Sequence, residues 1–192
     1  MNRILSVLAI LMLGATPAFA HVGHGATESF MSGLAHPLSG LDHVAAMVAV
    51  GLWAALNGGR ALWLWPASFV GVMLVGGALG MAGVGLPFVE PAILASVVAI
   101  GLMVTLAVNV PVALGAAVVG VFALFHGYAH GTEAMGLQGA GYMAGFAIAT
   151  AVLHLAGIGF AYLMTRNALL PAVRAAGAVC VAIGAVLIMG AA

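Results

Sequence analysis

Long apolar blocks alternate with short polar breaks along this chain. Six blocks stand out: Leu38–Leu56, Ala61–Ala82, Pro91–Val108, Pro111–His130, Gly139–Met164 and Leu170–Met189. Each comes near the roughly 20 residues that a helix needs to cross a bilayer core. The breaks are Asn57-Gly58-Gly59-Arg60, Gly83 to Glu90, Asn109-Val110-Pro111, Gly131 to Gly139 and Thr165-Arg166-Asn167. The blocks far exceed the alternating segments of about 10 residues in a membrane barrel. Backbone polar groups in lipid must be paired inside the segment, so helices are predicted. The pattern therefore predicts an all-α, polytopic membrane helix bundle with about six transmembrane helices.

A shorter apolar run precedes the six. Arg3 is followed by Ile4 to Leu13 and then by Ala18-Phe19-Ala20. A basic start, a short apolar run and a small-x-small site describe a cleavable secretory leader. Residues 1–20 are thus expected to be a signal peptide, and residues 21–192 the transmembrane domain. Cleavage after Ala20 would make His21 the mature amino terminus, with its α-amine and imidazole both available to a metal, and His24 three residues on.

Composition sharpens this picture. Of the residues, 65% are hydrophobic and 4% charged, with a mean hydropathy of +1.28. A formal net charge of +0 and a pI near 7.1 give nucleic acid nothing to bind. The lone Cys180 lies in the last apolar block, which excludes an intrachain disulfide and a cysteine-rich metal site. The Gly76 to Gly85 stretch lacks the Gly-Lys-Ser/Thr of a P-loop, so the chain is not expected to hydrolyse ATP. The 28 glycines include small-residue stripes at Gly76-Gly77 with Gly80 and at Gly141 with Gly145. These read first as internal helix packing and second as the seam of a homo-oligomer.

A cleaved leader starts the mature chain outside the cytoplasm. Counting six spans then puts Arg60, Arg166 and Arg174 inside, and Glu28, Glu90 and Glu133 outside. The arginines agree independently with the positive-inside rule. Both mature termini are expected on the outer side. Trp53, Trp63 and Trp65 flank the first inner loop and are expected to form an interfacial aromatic belt.

In so apolar a chain, an ionisable residue is a functional-site hypothesis by default. His36, Asp42 and His43 fall at the outer end of the first span. His126, His130 and Glu133 fall at the outer end of the fourth. Motifs far apart in sequence thus reach one membrane depth and are expected to close one site. His36 and His43 are two helical turns apart and are expected to share a face. His126 and His130 have the i, i+4 spacing that presents two imidazoles to one ion. Asp42 and Glu133 can ligate directly or orient an imidazole through its second nitrogen. His154 stands alone near the middle of the fifth span. Glu90 reads as a solvated helix start. The 11 methionines are scattered and read as core packing. Imidazole and carboxylate without thiolate suit nickel, cobalt, copper or zinc.

His-Pro-x-x-Gly-x-Asp-His at 36 to 43, Phe-His-Gly-x-x-His-Gly-x-Glu at 125 to 133, and a leader ending just before a histidine together resemble the HupE/UreJ family. Its members are small bacterial membrane proteins regarded as nickel or cobalt permeases and encoded with hydrogenase or urease genes. The resemblance spans essentially the whole mature chain. It implies a non-enzymatic permease in the bacterial cytoplasmic membrane, importing Ni2+ or Co2+ along His36, Asp42, His43, His126, His130 and Glu133. His21, His24 and His154 join the candidate metal ligands. No prosthetic group is implied. The implied partners are the divalent ion, the bilayer and, downstream, hydrogenase or urease maturation proteins. Better-known nickel/cobalt transporters carry His-x4-Asp-His. This chain has His-x5-Asp-His, so their ligand geometry is not carried over. A second class fits the same residues: an intramembrane hydrolase holding zinc and an activated water, with Ser39 nearby. A third is a haem anchor with histidine axial ligands. If metal binds, protons compete for the neutral rings, so binding should weaken as external pH falls through about 6.

Overall fold

The computed structural model describes residues 26–134 and 139–191. The expected leader and both His21 and His24 lie outside the described residues. Among the described residues there are seven α-helices and no strand. They are α1 (Ala26–Ala35), α2 (Leu41–Asn57), α3 (Ala61–Met81), α4 (Val89–Thr105), α5 (Val112–Glu133), α6 (Gly139–Arg166) and α7 (Leu170–Ala191), with a 3-10 turn at His36–Leu38 between α1 and α2.

Helices α2 to α7 coincide with the six apolar blocks. Four of them, α3, α5, α6 and α7, are long and apolar enough to cross a membrane. α2 and α4 have 17 residues each, about 25 Å of helix. α1 with its 3-10 turn meets α2 at a 78° bend, and the bent pair qualifies together as a fifth span. α1 was not among the predicted elements, since the first apolar block began at Leu38. Gly33 of α1 abuts the Tyr142 carbonyl, and Gly145 of α6 abuts the Phe30 carbonyl, so no Cβ fits at either place. Missing side chains let the short helix dock flat on α6.

α2 is central and touches α3, α4, α6 and α7. Its side chains from Ala45 to Ala54 are almost all buried. The most extensive pairing is α3 with α5. There the expected small-residue stripe finds its partner inside the chain. A Cβ on Gly127 would strike the Met73 carbonyl, and one on Gly131 the Gly77 carbonyl. Gly76 and Gly80 face the Leu124 and Tyr128 carbonyls in return. The stripe is therefore an internal seam, as packing in lipid favours. Large apolar side chains such as Val152, Leu155, Tyr162, Val179 and Val186 point outward.

The expected aromatic belt needs correction. Trp63 is exposed, but Trp53 and Trp65 are buried and pack together with ring centres 4.4 Å apart. Each indole N–H donates to a backbone carbonyl: Trp53 Nε1 to Val108 of the α4–α5 connection at 2.8 Å and Trp65 Nε1 to Val112 at the start of α5 at 2.8 Å. With its one polar atom satisfied by protein, an indole no longer needs the interface. Asn57 ties down the same connection, accepting from the Val110 N–H at 3.2 Å. Arg174 Nε donates to the Thr105 carbonyl at 2.7 Å. Arg60, at the start of α3, and Arg166, at the end of α6, share this end of the bundle. The histidine motifs occupy the other end.

Candidate metal centre

The break before α2 builds the site's first half. Pro37 lies in the 3-10 turn, and Gly40 is extended at φ −104° and ψ 122°, so the chain turns sharply between His36 and His43. They are not two turns along one continuous helix, as their spacing had suggested. The bend instead sends them to the site from different sides. His43 starts α2, and its Nδ1 meets Asp42 Oδ1 at 2.8 Å. α1 and the 3-10 turn hold the His36 ring 5.8 Å from that of Tyr142.

α5 supplies the second half. His130 and Glu133 are one turn apart, and His130 Nδ1 lies 2.8 Å from Glu133 Oε2. The same carboxylate oxygen lies 3.1 Å from His36 Nε2. His36, His130 and Glu133 each offer a ligand atom, all within 4.8 Å of one another. On its other side, His130 Nε2 is 2.5 Å from His43 Nε2. Asp42, His43, His130, Glu133 and His36 thus form one continuous chain of groups, with His130 at its centre. Phe146 closes over it, its ring centre 4.0 Å from that of His130.

Proton positions follow from the partners. A carboxylate only accepts, so the Nδ1 atoms of His43 and His130 donate to Asp42 and Glu133. Each Nε2 is then a lone pair, and the two lone pairs face each other. That arrangement repels unless a cation sits at it, either a proton or a metal ion. Two nitrogens bound to one metal at roughly 2.0–2.1 Å stand about 3 Å apart. A small opening therefore converts this contact into a ligand pair, each imidazole aimed by a carboxylate behind it.

His126 takes a different part from the one its i, i+4 spacing suggested. It is fully buried, one turn deeper on α5, with its ring 5.1 Å from that of His43. Its Nε2 is 2.9 Å from Ser96 Oγ on α4. The Ser96 hydroxyl donates to the Ile93 carbonyl at 2.6 Å, so toward His126 it accepts. Nε2 therefore carries the proton and Nδ1 the lone pair. His126 thus engages α4, whereas His130 engages His43 and Glu133. His154 lies away from the cluster, against Phe69. Glu90 is exposed in the first turn of α4. Ser39, the nucleophile a hydrolase would want, donates to the His36 carbonyl at 2.6 Å and is exposed.

Side-chain exposure falls steadily through the site: Glu133 51%, His36 37%, Asp42 20%, His43 13%, His130 2%. The donors form a graded entry from solvent to core. Ser96, Tyr142 and Phe146 escaped the sequence reading. Ser96 had a usable signal, being a hydroxyl in the middle of an apolar block. Tyr142 and Phe146 look like any aromatic residue in a span.

A family model described as HupE / UreJ protein matches residues 8–187. The chain belongs to the HupE/UreJ family. It is also 47% identical over 190 residues to Protein HupE of Rhizobium leguminosarum bv. viciae, covering 98% of each chain. No solved structure matches. This HupE/UreJ member is accordingly a membrane protein of a metal-uptake family, and its two histidine motifs meet at one end of a helical bundle.

Proposed function

We propose that this HupE/UreJ member imports a divalent late first-row metal ion, nickel or cobalt, by secondary transport across the cytoplasmic membrane. The ion enters at the His36–Glu133 end and is desolvated by His36, His43, His130 and Glu133. The observation that carries this reading is the close Nε2–Nε2 approach of His43 and His130, with a carboxylate behind each ring. Imidazole with carboxylate is the donor set such ions prefer. An open, graded shell suits an ion that must also leave, unlike a closed four-ligand structural site. The leader, residues 1–20, is removed and both mature termini face outward. The three arginines at the opposite end support that orientation through the positive-inside rule. Asp42 acts by positioning His43.

The test is uptake of labelled nickel and cobalt into liposomes containing this chain alone, with zinc as competitor and external pH varied from about 5 to 8. Wild type should accumulate metal, less so as imidazole protonates below roughly pH 6.5. His36→Ala, Asp42→Ala and His43→Ala should each lose uptake while inserting normally. Wild-type rates in all three would leave the cluster without a transport role.

A further inference from the structure

Buried polar groups continue inward from the outer cluster. His126 comes first, with a lone pair on Nδ1 that has no hydrogen-bond partner among the described residues. His154 comes next. It lies twelve residues along α6 from Tyr142, about 18 Å by helical rise, and is 0% exposed. Neither of its ring nitrogens has a partner among the described residues. A neutral imidazole always carries one N–H and one lone pair, and burying both unpaired costs free energy that leucine or phenylalanine would not. Packing alone gives no reason to keep histidine here.

Its surroundings form a ladder between α3 and α6. Phe69 packs on His154, ring centres 5.1 Å apart, and also on His126 at 5.8 Å. One turn toward the cluster, Thr150 Oγ1 donates to Met73 Sδ at 3.6 Å. Phe69 and Met73 are one turn apart on α3, as are His154 and Thr150 on α6. The interior between cluster and mid-bundle therefore offers two imidazole lone pairs, a thioether and the hydroxyls of Ser96 and Thr150 in an otherwise apolar core. Imidazole and thioether both suit late transition metals.

We propose that His154 is a second metal-binding station, halfway down the bundle, which receives the divalent ion from the outer cluster by way of His126 Nδ1. The station rests on the transport reading above and adds a route to it. A single imidazole binds weakly, as a relay position must if the ion is to move on.

The test uses purified full-length protein in nanodiscs, titrated with cobalt(II) and read by equilibrium dialysis and absorbance. Wild type should bind one more equivalent than His154→Leu. Reconstituted His154→Leu should transport at least tenfold more slowly with an unchanged half-saturating cobalt concentration. His154→Cys supplies a readout that a structural role would not move. Its thiolate should add a near-ultraviolet sulfur-to-cobalt charge-transfer band absent from wild type, which contains Cys180 alone. Full cobalt stoichiometry and wild-type transport in His154→Leu would overturn the station, as would an inserted His154→Cys without the band. His43→Ala separates the two ideas. Wild-type uptake in His43→Ala sinks the outer-cluster reading, whereas the His154 variants bear on the inner station.

Discussion

His130 occupies both of its ring nitrogens in the site, Nδ1 toward Glu133 and Nε2 toward His43. His43 mirrors it from the other motif, with Nδ1 toward Asp42 and Nε2 toward His130. His154 is its opposite, with neither nitrogen paired among the described residues. Removing an unpaired buried polar atom returns about 1 kcal/mol or more. His154→Leu should therefore raise the melting temperature in detergent even as uptake falls, and a scanning thermal-denaturation measurement checks it. A lowered melting temperature would mean the imidazole packs better than its unpaired nitrogens suggest. At this scale the ionisable residues drew attention in the sequence, because few such residues survive in apolar blocks without cause, but the turn of His126 toward Ser96 was not visible there. Ser96 was harder to see, since its role depends on a helix 30 positions away.

Elements owe their placement to small residues more than to large ones. α3 and α5 approach until Gly127 and Gly131 meet the backbone carbonyls of Met73 and Gly77. Those atoms belong to helical backbone and cannot step aside as a flexible side chain would. Gly127→Leu should cost about 3 kcal/mol or more in stability. Because Gly127 lies between His126 and His130, the same change should weaken cobalt binding, measured by equilibrium dialysis of the variant. The six blocks were legible as helices because lipid allows no other open backbone pairing. α1 was not, since its ten residues carry Ser, Thr and Glu and its docking depends on Gly145, far along the chain. The 78° bend was hidden too. A seven-position spacing fits two histidines equally well on one helix or across a Pro37–Gly40 corner. Trp53 and Trp65 misled for a related reason: their hydrogen-bond acceptors, Val108 and Val112, lie more than 40 residues along the chain.

The whole molecule is polar end to end, with histidines and carboxylates at one end and Arg60, Arg166 and Arg174 at the other. With the arginines cytoplasmic, a periplasm-active reporter fused at the carboxyl terminus should be active and a cytoplasm-active one silent; the reverse pattern would invert the proposed direction of entry. The two ends also differ in how they are fastened. The α4–α5 connection is stitched to α2 through Trp53 and Asn57, and the start of α5 to α3 through Trp65. On the proposed import route, an ion bound for that end would meet this connection, and its opening would precede release. Asn57 contributes two of the stitches, accepting from the Val110 N–H and donating to the Val108 carbonyl at 3.3 Å. At about 1 kcal/mol each, their loss in Asn57→Ala should shorten the dwell of the ion by about 30-fold. Stopped-flow release from preloaded liposomes times that step. The stitched connection would then act as the clock of the transport cycle, setting how long each ion waits while the histidines decide which ion is admitted.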